Sequence, residues 1–429
     1  MRKLIDRFTI RQILAREILD SRGNPTVEVD VFTNSSVGRA AAPSGASTGS
    51  FEAHELRDDD PKRYLGRGVR KVIRNVNEVI SPVLLGMDCR DQLDIDAKMI
   101  ELDGSERKTR IGANGIVAVS IAVAQVAAAS SEIPLFQYFG GIDVRRLPLP
   151  LMNIINGGKH AGNDLSIQEF MILPIGTKNF AEGVQWGSEI YHHLGDLIHR
   201  KYGKGSIGLG DEGGYSPPLK SSEEALDLVT KSVEELGLEP GRDIALALDV
   251  AASSFYQSPM GNYQIDGRRL GRGELLDFYS ELVAKYPIQS IEDPFQEEDF
   301  EAHALLTKRL GGKVQIVGDD LFVTNVDRLS KGIRLQAANA LLLKLNQIGT
   351  ISEARKAAKM ATINAYRVVV SHRSGETEDT TISDLAVGIG AEMIKCGAPA
   401  RGERTAKYNQ LLRIEEKLGS RAEYWGKYF

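Results

Sequence analysis

Near the start of the chain, Val27, Val29 and Val31 alternate with Glu28 and Asp30, a period of two that predicts a strand with one wet face. Helical segments follow. The longest apolar stretch, residues 116–129, is rich in alanine and carries only Ser120 and Gln125 as polar interruptions. It is too short to span a bilayer and is read as a buried helix. Residues 221–236 repeat on a helical period: Ala225, Leu226, Val229, Val233 and Leu236 share one face, Ser221 and Glu224 form a capping box, and Gly237 is placed as the C-cap. A Gly/Pro-rich passage at 139–150 has the composition of a domain junction and predicts a boundary near residue 145.

Beyond that junction, aliphatic runs recur, each ending in a charged or polar residue: LALD at Asp249, SIED at Glu292, QIVGD at Asp319, LLLK at Lys344, VVVSHR after Val370 and EMIK at Lys395. From Glu292 onward the spacings are 27, 25, 26 and 25 residues, about one strand plus one helix. Repeated βα units of this kind predict a closed α/β barrel, (β/α)8 in type, over residues 146–429, behind a smaller N-terminal α+β domain over 1–145. In such a barrel the reactive groups lie at the C-terminal ends of the strands, where these charged residues fall.

Composition narrows the function. At 429 residues the chain exceeds the size of one growing core and divides naturally into two domains. Its 42% apolar and 26% charged residues are those of a globular protein. A net charge of -5 with dispersed basic residues excludes nucleic acid as a partner. Two cysteines, Cys89 and Cys396, build neither a disulfide framework nor a thiolate zinc site, which fits a reducing, cytoplasmic compartment. The opening MRKLIDRFTI carries too much charge for a signal peptide.

Asp249, Glu292 and Asp319 end successive apolar runs and would converge on one barrel mouth. Like charges so placed repel unless a cation joins them, and an all-oxygen set suits a hard ion such as Mg2+. Each carboxylate alone would serve equally well to cap a helix. Lys344 and Lys395 would also lie inside the barrel. A lysine beside other cations has its pKa lowered, and moving it from about 10.4 to about 7 takes roughly 4 to 5 kcal/mol. Lys395, Arg373 and a bound metal would supply that and make Lys344 a base; the alternative is two lysines salt-bridged to the acids. Arg373 and Ser374, in SHRSGETED, offer a planar fork and a hydroxyl to a phosphate. The small, flexible SGASTGS at 44–50 suits a lid, or an ordinary polar loop. Glu212 in GDEGGY and Glu169 in IQEFMI are candidate proton donors, the second with a raised pKa if buried. His160, in a glycine-rich loop, is a candidate substrate contact; no P-loop spacing surrounds it.

These residues resemble the enolase family almost end to end, through DSRGNPTVEV, PSGASTG, IQEFMI, GDEGGY, ALDVAASSFY, IEDPF, GDDLFVTN, LLLKLNQIGT, SHRSGETED and KYNQLLRIEE. The resemblance implies a glycolytic and gluconeogenic lyase that interconverts 2-phosphoglycerate and phosphoenolpyruvate through a magnesium-stabilised enediolate. It implies two Mg2+ per site, the first on Asp249, Glu292 and Asp319 and the second helped by Ser47. Lys344 becomes the C2 base and Glu212 the acid at the departing C3 hydroxyl, with Glu169 nearby; Lys395, Gln168, His160, Arg373 and Ser374 hold the substrate. It further implies a homodimer or octamer, with Glu28 and Arg413 at positions that pair across the dimer, and in some members an added cell-surface or secreted fraction. Lys159, Gly162, Phe322, Leu345 and Gly115 depart from the family strings without removing a reacting group. Rival readings are a racemase or cycloisomerase on the same barrel, a Schiff-base aldolase using Lys344, and a surface scaffold; the phosphate string and the three metal-type carboxylates argue against the first two.

Overall fold

In the computed structural model, which describes residues 6–46, 48–158 and 161–428, the chain opens with an antiparallel meander of β1 (Gln12–Leu19), β2 (Pro25–Phe32) and β3 (Val37–Ala41). Val27, Val29 and Val31 face the core as expected. The other face of β2 is not wet throughout. Asp30 is buried there, gripped by Arg16 and Arg39, because two guanidinium groups from the flanking strands close over it. The two longer helices of this domain are α1 (Gln92–Asp103) and α2 (Ala113–Ser130). The apolar helix runs longer than the 116–129 pattern, since Ala113, Asn114 and Gly115 join its first turn. At 18 residues it is apolar and long enough to cross a membrane, yet 89% of it is buried inside the protein. It lies directly on β3, where Gly38 leaves no room for a side chain: a Cβ there would stand 2.1 Å from the Ala122 carbonyl oxygen.

The second domain is a closed barrel of eight strands: β4 (Leu149–Asn156), β5 (Glu169–Leu173), β6 (Ala245–Asp249), β7 (Ile288–Glu292), β8 (Gln315–Gly318), β9 (Ala340–Leu343), β10 (Arg367–Ser371) and β11 (Met393–Gly397). The strands are buried along most of their length because both of their faces are covered, and most read as apolar runs for that reason. The helices that cover them include α3 (Phe180–Tyr202), α4 (Ser222–Glu235), α5 (Arg272–Lys285), α6 (Phe300–Leu310), α7 (Val326–Leu335), α8 (Ile351–Ile363), α9 (Thr381–Gly388) and α10 (Gly402–Leu418). Several start on a side-chain cap that satisfies the first-turn amides: Asn179 before α3, Asp299 before α6, Asn325 before α7 and Thr350 before α8. Ser221 caps α4 by accepting from the Glu224 amide, and Gly237 (φ +77°) ends it in a Schellman turn, with the Leu238 amide bonded to the Val233 carbonyl.

One strand breaks the repeat. β5 runs antiparallel to both β4 and β6, and among the described residues no α-helix separates β4 from β5. A tandem βα pattern cannot foresee this, because apolar content does not carry direction. The reversal has a consequence for chemistry: Glu169, at the start of β5, stands level with the C-terminal ends of its neighbours. Register pairs Asn156 with Glu169, Glu169 with Asp249, and Asp249 with Glu292 across four adjacent strands.

The N-terminal domain roofs this mouth. Ser44 and Gly375 exchange backbone hydrogen bonds, the Ser120 hydroxyl and the Asp96 carboxylate accept from the Ile351 and Ser352 amides at the start of α8, and Lys108 pairs with Glu353.

Candidate active site

A cavity of about 20 Å³, the scale of a single water, lies at the barrel mouth and is lined by Gln168, Glu169, Glu212, Asp249, Asp319, Lys344, Ser371, His372, Arg373, Ser374 and Lys395. Nine of these eleven are residues singled out from sequence. Ser47 and His160 fall outside the described residues. Asp249 and Glu292 close their strands, Asp319 and Lys344 come one residue after theirs, and Lys395 sits within β11 opposite Ser371.

Lys395 is the electrostatic centre. Its ammonium lies 2.8 Å from Asp249 Oδ2, 2.9 Å from Glu292 Oε2 and 3.3 Å from Glu169 Oε1, and these carboxylates hold its pKa well above the usual lysine value against the cost of burial. Lys344 donates to Asp319 Oδ2 at 2.5 Å. Its pKa is raised, not lowered as the sequence reading required. Burial, the largest single influence, pushes it down, as do Arg373 and Lys395, but the attraction of the surrounding carboxylates, Asp319 first and then Glu292, leaves it raised. The salt-bridged arrangement, left open as an alternative, is therefore the one present.

The three predicted metal carboxylates do not form one tight group. Lys395 bridges Asp249 and Glu292, while Asp319 is drawn to Lys344 and to the Gln347 amide at 2.7 Å. Among the described residues, the side chains close enough to grip one cation are the carboxylates of Asp293, Asp319 and Asp320, or those of Glu169 and Glu212 with the His372 imidazole. Asp293 was passed over in sequence; it accepts the amides of Asp319 and Asp320 at 2.9 and 2.7 Å and so fixes the turn that carries them.

A hard divalent ion fits these residues. Glu292 Oε1 and Glu169 Oε2 are buried without a hydrogen-bond partner among the described residues. Burial together with like charge raises Glu292, Asp320 and Glu169 well above the carboxylate range and Asp293 to about 8. Buried acids in such excess over Lys344, Lys395 and Arg373 call for protons or a cation, and oxygen donors favour Mg2+.

Opposite the lysines, Glu212 is held by the Asn153 and Asn156 amides at 3.3 and 3.5 Å, with His372 Nε2 3.9 Å away. Burial, followed by the nearness of Glu212, raises the pKa of Glu169, so within this pair the neutral acid is favoured at Glu169. His372 stays neutral, desolvated and repelled by Arg404.

Arg373 is also engaged within the chain. Its Nη1 donates to Glu52 at 2.8 Å, and the Ser374 hydroxyl accepts from the Ala46 amide at 2.6 Å. Beneath them the fully buried Arg404 lies 2.6 Å from His372 Nδ1 and donates at 2.6 Å to the Arg373 carbonyl and at 2.5 Å to the Ser374 carbonyl, pinning the SHRSG segment. Glu52, Gln347, His372 and Arg404 escaped the sequence reading. Gln347, His372 and Arg404 had a local signal, within LLLKLNQIGT, SHRSGETED and GAPARGER, and Glu52 had none.

Fold and site together define a barrel enzyme with acid–base groups at the strand ends. Residues 10–139 match the model of the enolase N-terminal domain, and residues 144–429 that of the enolase C-terminal TIM barrel domain. Among similar proteins, the enolase of Pyrococcus furiosus is 60% identical over 98% of both chains, that of Methanocaldococcus jannaschii 59% over 99% of both, and that of Methanosarcina acetivorans 60% over 97% of this chain and 96% of its own. The chain belongs to the enolase family.

Proposed function

We propose that this chain has the activity of a phosphopyruvate hydratase, the glycolytic and gluconeogenic lyase that reversibly dehydrates 2-phosphoglycerate to phosphoenolpyruvate. The observation that carries it is the convergence of Lys344, Lys395, Glu169, Glu212, Asp319 and Arg373 on one cavity. In this reading Lys344 removes the C2 proton: Asp319, the carboxylate that raises its pKa most, would turn to Mg2+, and the attraction that keeps the lysine an ammonium would weaken. Lys395, among three carboxylates, remains an ammonium and holds the substrate carboxylate as negative charge develops there. Glu212, sharing a proton with Glu169, delivers it to the departing hydroxyl from another strand connection, so base and acid are different residues. Gln168, whose amide lies 3.3 Å from Asp249 Oδ2, and His160 orient the substrate, and Arg373 and Ser374 hold its phosphate.

Asp249, Glu292 and Asp319, with Ser47 from the loop, are the residues we assign to two Mg2+. Bound there, the ions supply electrostatic stabilisation to the carboxylate as C2 is deprotonated. To the same reading belong a division at residues 1–145 and 146–429, which rests on the Gly/Pro-rich passage at 139–150, and a cytoplasmic location, which rests on the sparse cysteines; a homodimer or octamer and an added cell-surface or secreted fraction rest on the family resemblance. Glu28 is paired with Arg16 at 2.5 Å, and Arg413 is exposed.

The test is the ultraviolet absorbance of phosphoenolpyruvate formed from 2-phosphoglycerate, followed with and without Mg2+. No product from folded protein with the metal present would sink the reading.

A further inference from the structure

Glu52 belongs to the N-terminal domain, yet its carboxylate reaches into the barrel mouth and is buried. Oε2 accepts from Arg373 Nη1 at 2.8 Å; Oε1 accepts from the Gly49 amide at 3.1 Å and from Gln347 Nε2 at 3.3 Å. The same Gln347 nitrogen donates its other hydrogen to Asp319 Oδ1 at 2.7 Å. The amide has one orientation here, because Gln347 Oε1 accepts from the Thr324 hydroxyl at 2.9 Å, and that hydroxyl accepts the Lys344 backbone N–H at 3.0 Å. One hydrogen-bonded chain thus runs from Lys344 through Thr324 and Gln347, meets Asp319 and Glu52, and ends on Arg373.

The backbone around Glu52 is fixed as firmly. Arg107 Nε donates to the Glu52 carbonyl, and the Ala53 amide to the Gln347 carbonyl, both at 2.8 Å. A buried guanidinium is costly without an anion, and these anchors present one to Arg373 at a set angle.

We propose that Glu52 is a positioning residue: acting through Arg373 and Gln347, it holds the phosphate-binding arginine in register with Asp319. This rests on the reading of Arg373 as the phosphate holder. Every partner of the Glu52 side chain is a donor, so an amide nitrogen at either oxygen position faces a donor and breaks a link in the chain. Glu52→Gln should therefore lower kcat/KM about tenfold, chiefly by raising KM, since phosphate is held alike in ground and transition states.

The deciding experiment is a double-mutant cycle on the magnesium-loaded enzyme with Glu52→Gln and Arg373→Lys. If Glu52 works through Arg373, its replacement costs less than about twofold once Arg373 is lysine, because the register it enforces no longer exists. The same fold-cost in both backgrounds, or none in the parent, overturns the proposal. Should Glu52→Gln unfold at the assay temperature, the cycle is run with Glu52→Asp, which keeps the charge and withdraws it by one methylene; additivity there overturns the proposal equally. An Arg373→Lys enzyme with parental kinetics would instead remove the phosphate reading, so the two failures are told apart.

Discussion

Lys344 donates to Asp319 at 2.5 Å, joining the assigned base directly to an assigned metal ligand. Deleting the carboxylate removes both a ligand and the partner of a buried ammonium. We therefore expect activity to vanish in excess chelator and to return with Mg2+ in the parent, while Asp319→Ala needs far more Mg2+ for any recovery. Mg2+-dependent rise of the thermal midpoint reports the same loss without reference to turnover. Full activity in excess chelator would falsify the metal assignment.

The phosphate assignment predicts a cost for a change that conserves charge. Arg373→Lys loses the planar fork, and with it the geometry that Glu52 orients. A fall in kcat/KM of order tenfold or more is expected, at about 1.4 kcal/mol per tenfold. Steady-state kinetics equal to the parent would remove Arg373 from that role.

Stability against pH has a distinct contribution from His303. It is fully buried, its Nδ1 hydrogen bonds to the Asp299 carbonyl, and burial lowers its pKa from 6.5 to about 4. The unfolded chain then binds a proton between pH 6.5 and 4 that the folded chain refuses, so stability falls as pH falls through that window and levels off below it. The span corresponds to about 3 kcal/mol. Asp384, raised to about 6 by burial, acts in the opposite sense, so the readout is the difference between parent and His303→Leu in urea midpoints from pH 7 to 4. Parallel curves for the two proteins would show that His303 does not contribute.

Gly38 tests the packing of β3 on α2. A Cβ would meet the Ala122 carbonyl oxygen at 2.1 Å and the Val126 amide nitrogen at 2.5 Å, both backbone atoms of a helix that cannot turn aside as a side chain would. Gly38→Ala should lose at least about 1 to 3 kcal/mol, read as a lowered thermal midpoint. An unchanged midpoint would mean that strand and helix separate at little cost.

How far these features could be read from sequence depends on what each one needs. Glu292, Asp319, Lys344 and Lys395 were legible because one strand and one helix occupy a nearly constant length, so chemistry at the mouth recurs on that period. Glu169 was legible as a buried acid but not as the neighbour of Asp249, since that pairing follows from the reversed direction of β5. The contact with Asp319 that raises the pKa of Lys344 was not legible, because sequence supplies the nearby cations but not that hydrogen bond. Glu52 was invisible for another reason. It meets Arg373 across 321 residues and across the two domains, and no local pattern encodes so distant a contact.

The two proton-transfer roles can be separated by isotope exchange. Lys344 follows β9, beside Asp319 and among the cations, whereas Glu212 lies across the mouth with Asn153, Asn156 and His372. If Lys344 takes the C2 proton and Glu212 acts later, Lys344→Ala should abolish both exchange of the C2 hydrogen of 2-phosphoglycerate with D2O and formation of phosphoenolpyruvate. Glu212→Gln should abolish only the second, because an amide cannot deliver the proton while the base is untouched. Proton NMR of substrate in D2O with Mg2+ and each variant reads both events, and exchange without dehydration is the expected signature of Glu212→Gln. The reverse pattern, with exchange lost in Glu212→Gln and kept in Lys344→Ala, would exchange the two assignments. Loss of both events in Glu212→Gln, in protein that keeps its Mg2+-dependent thermal shift, would show that the acid pair is needed before the C2 proton leaves and would overturn the stepwise order.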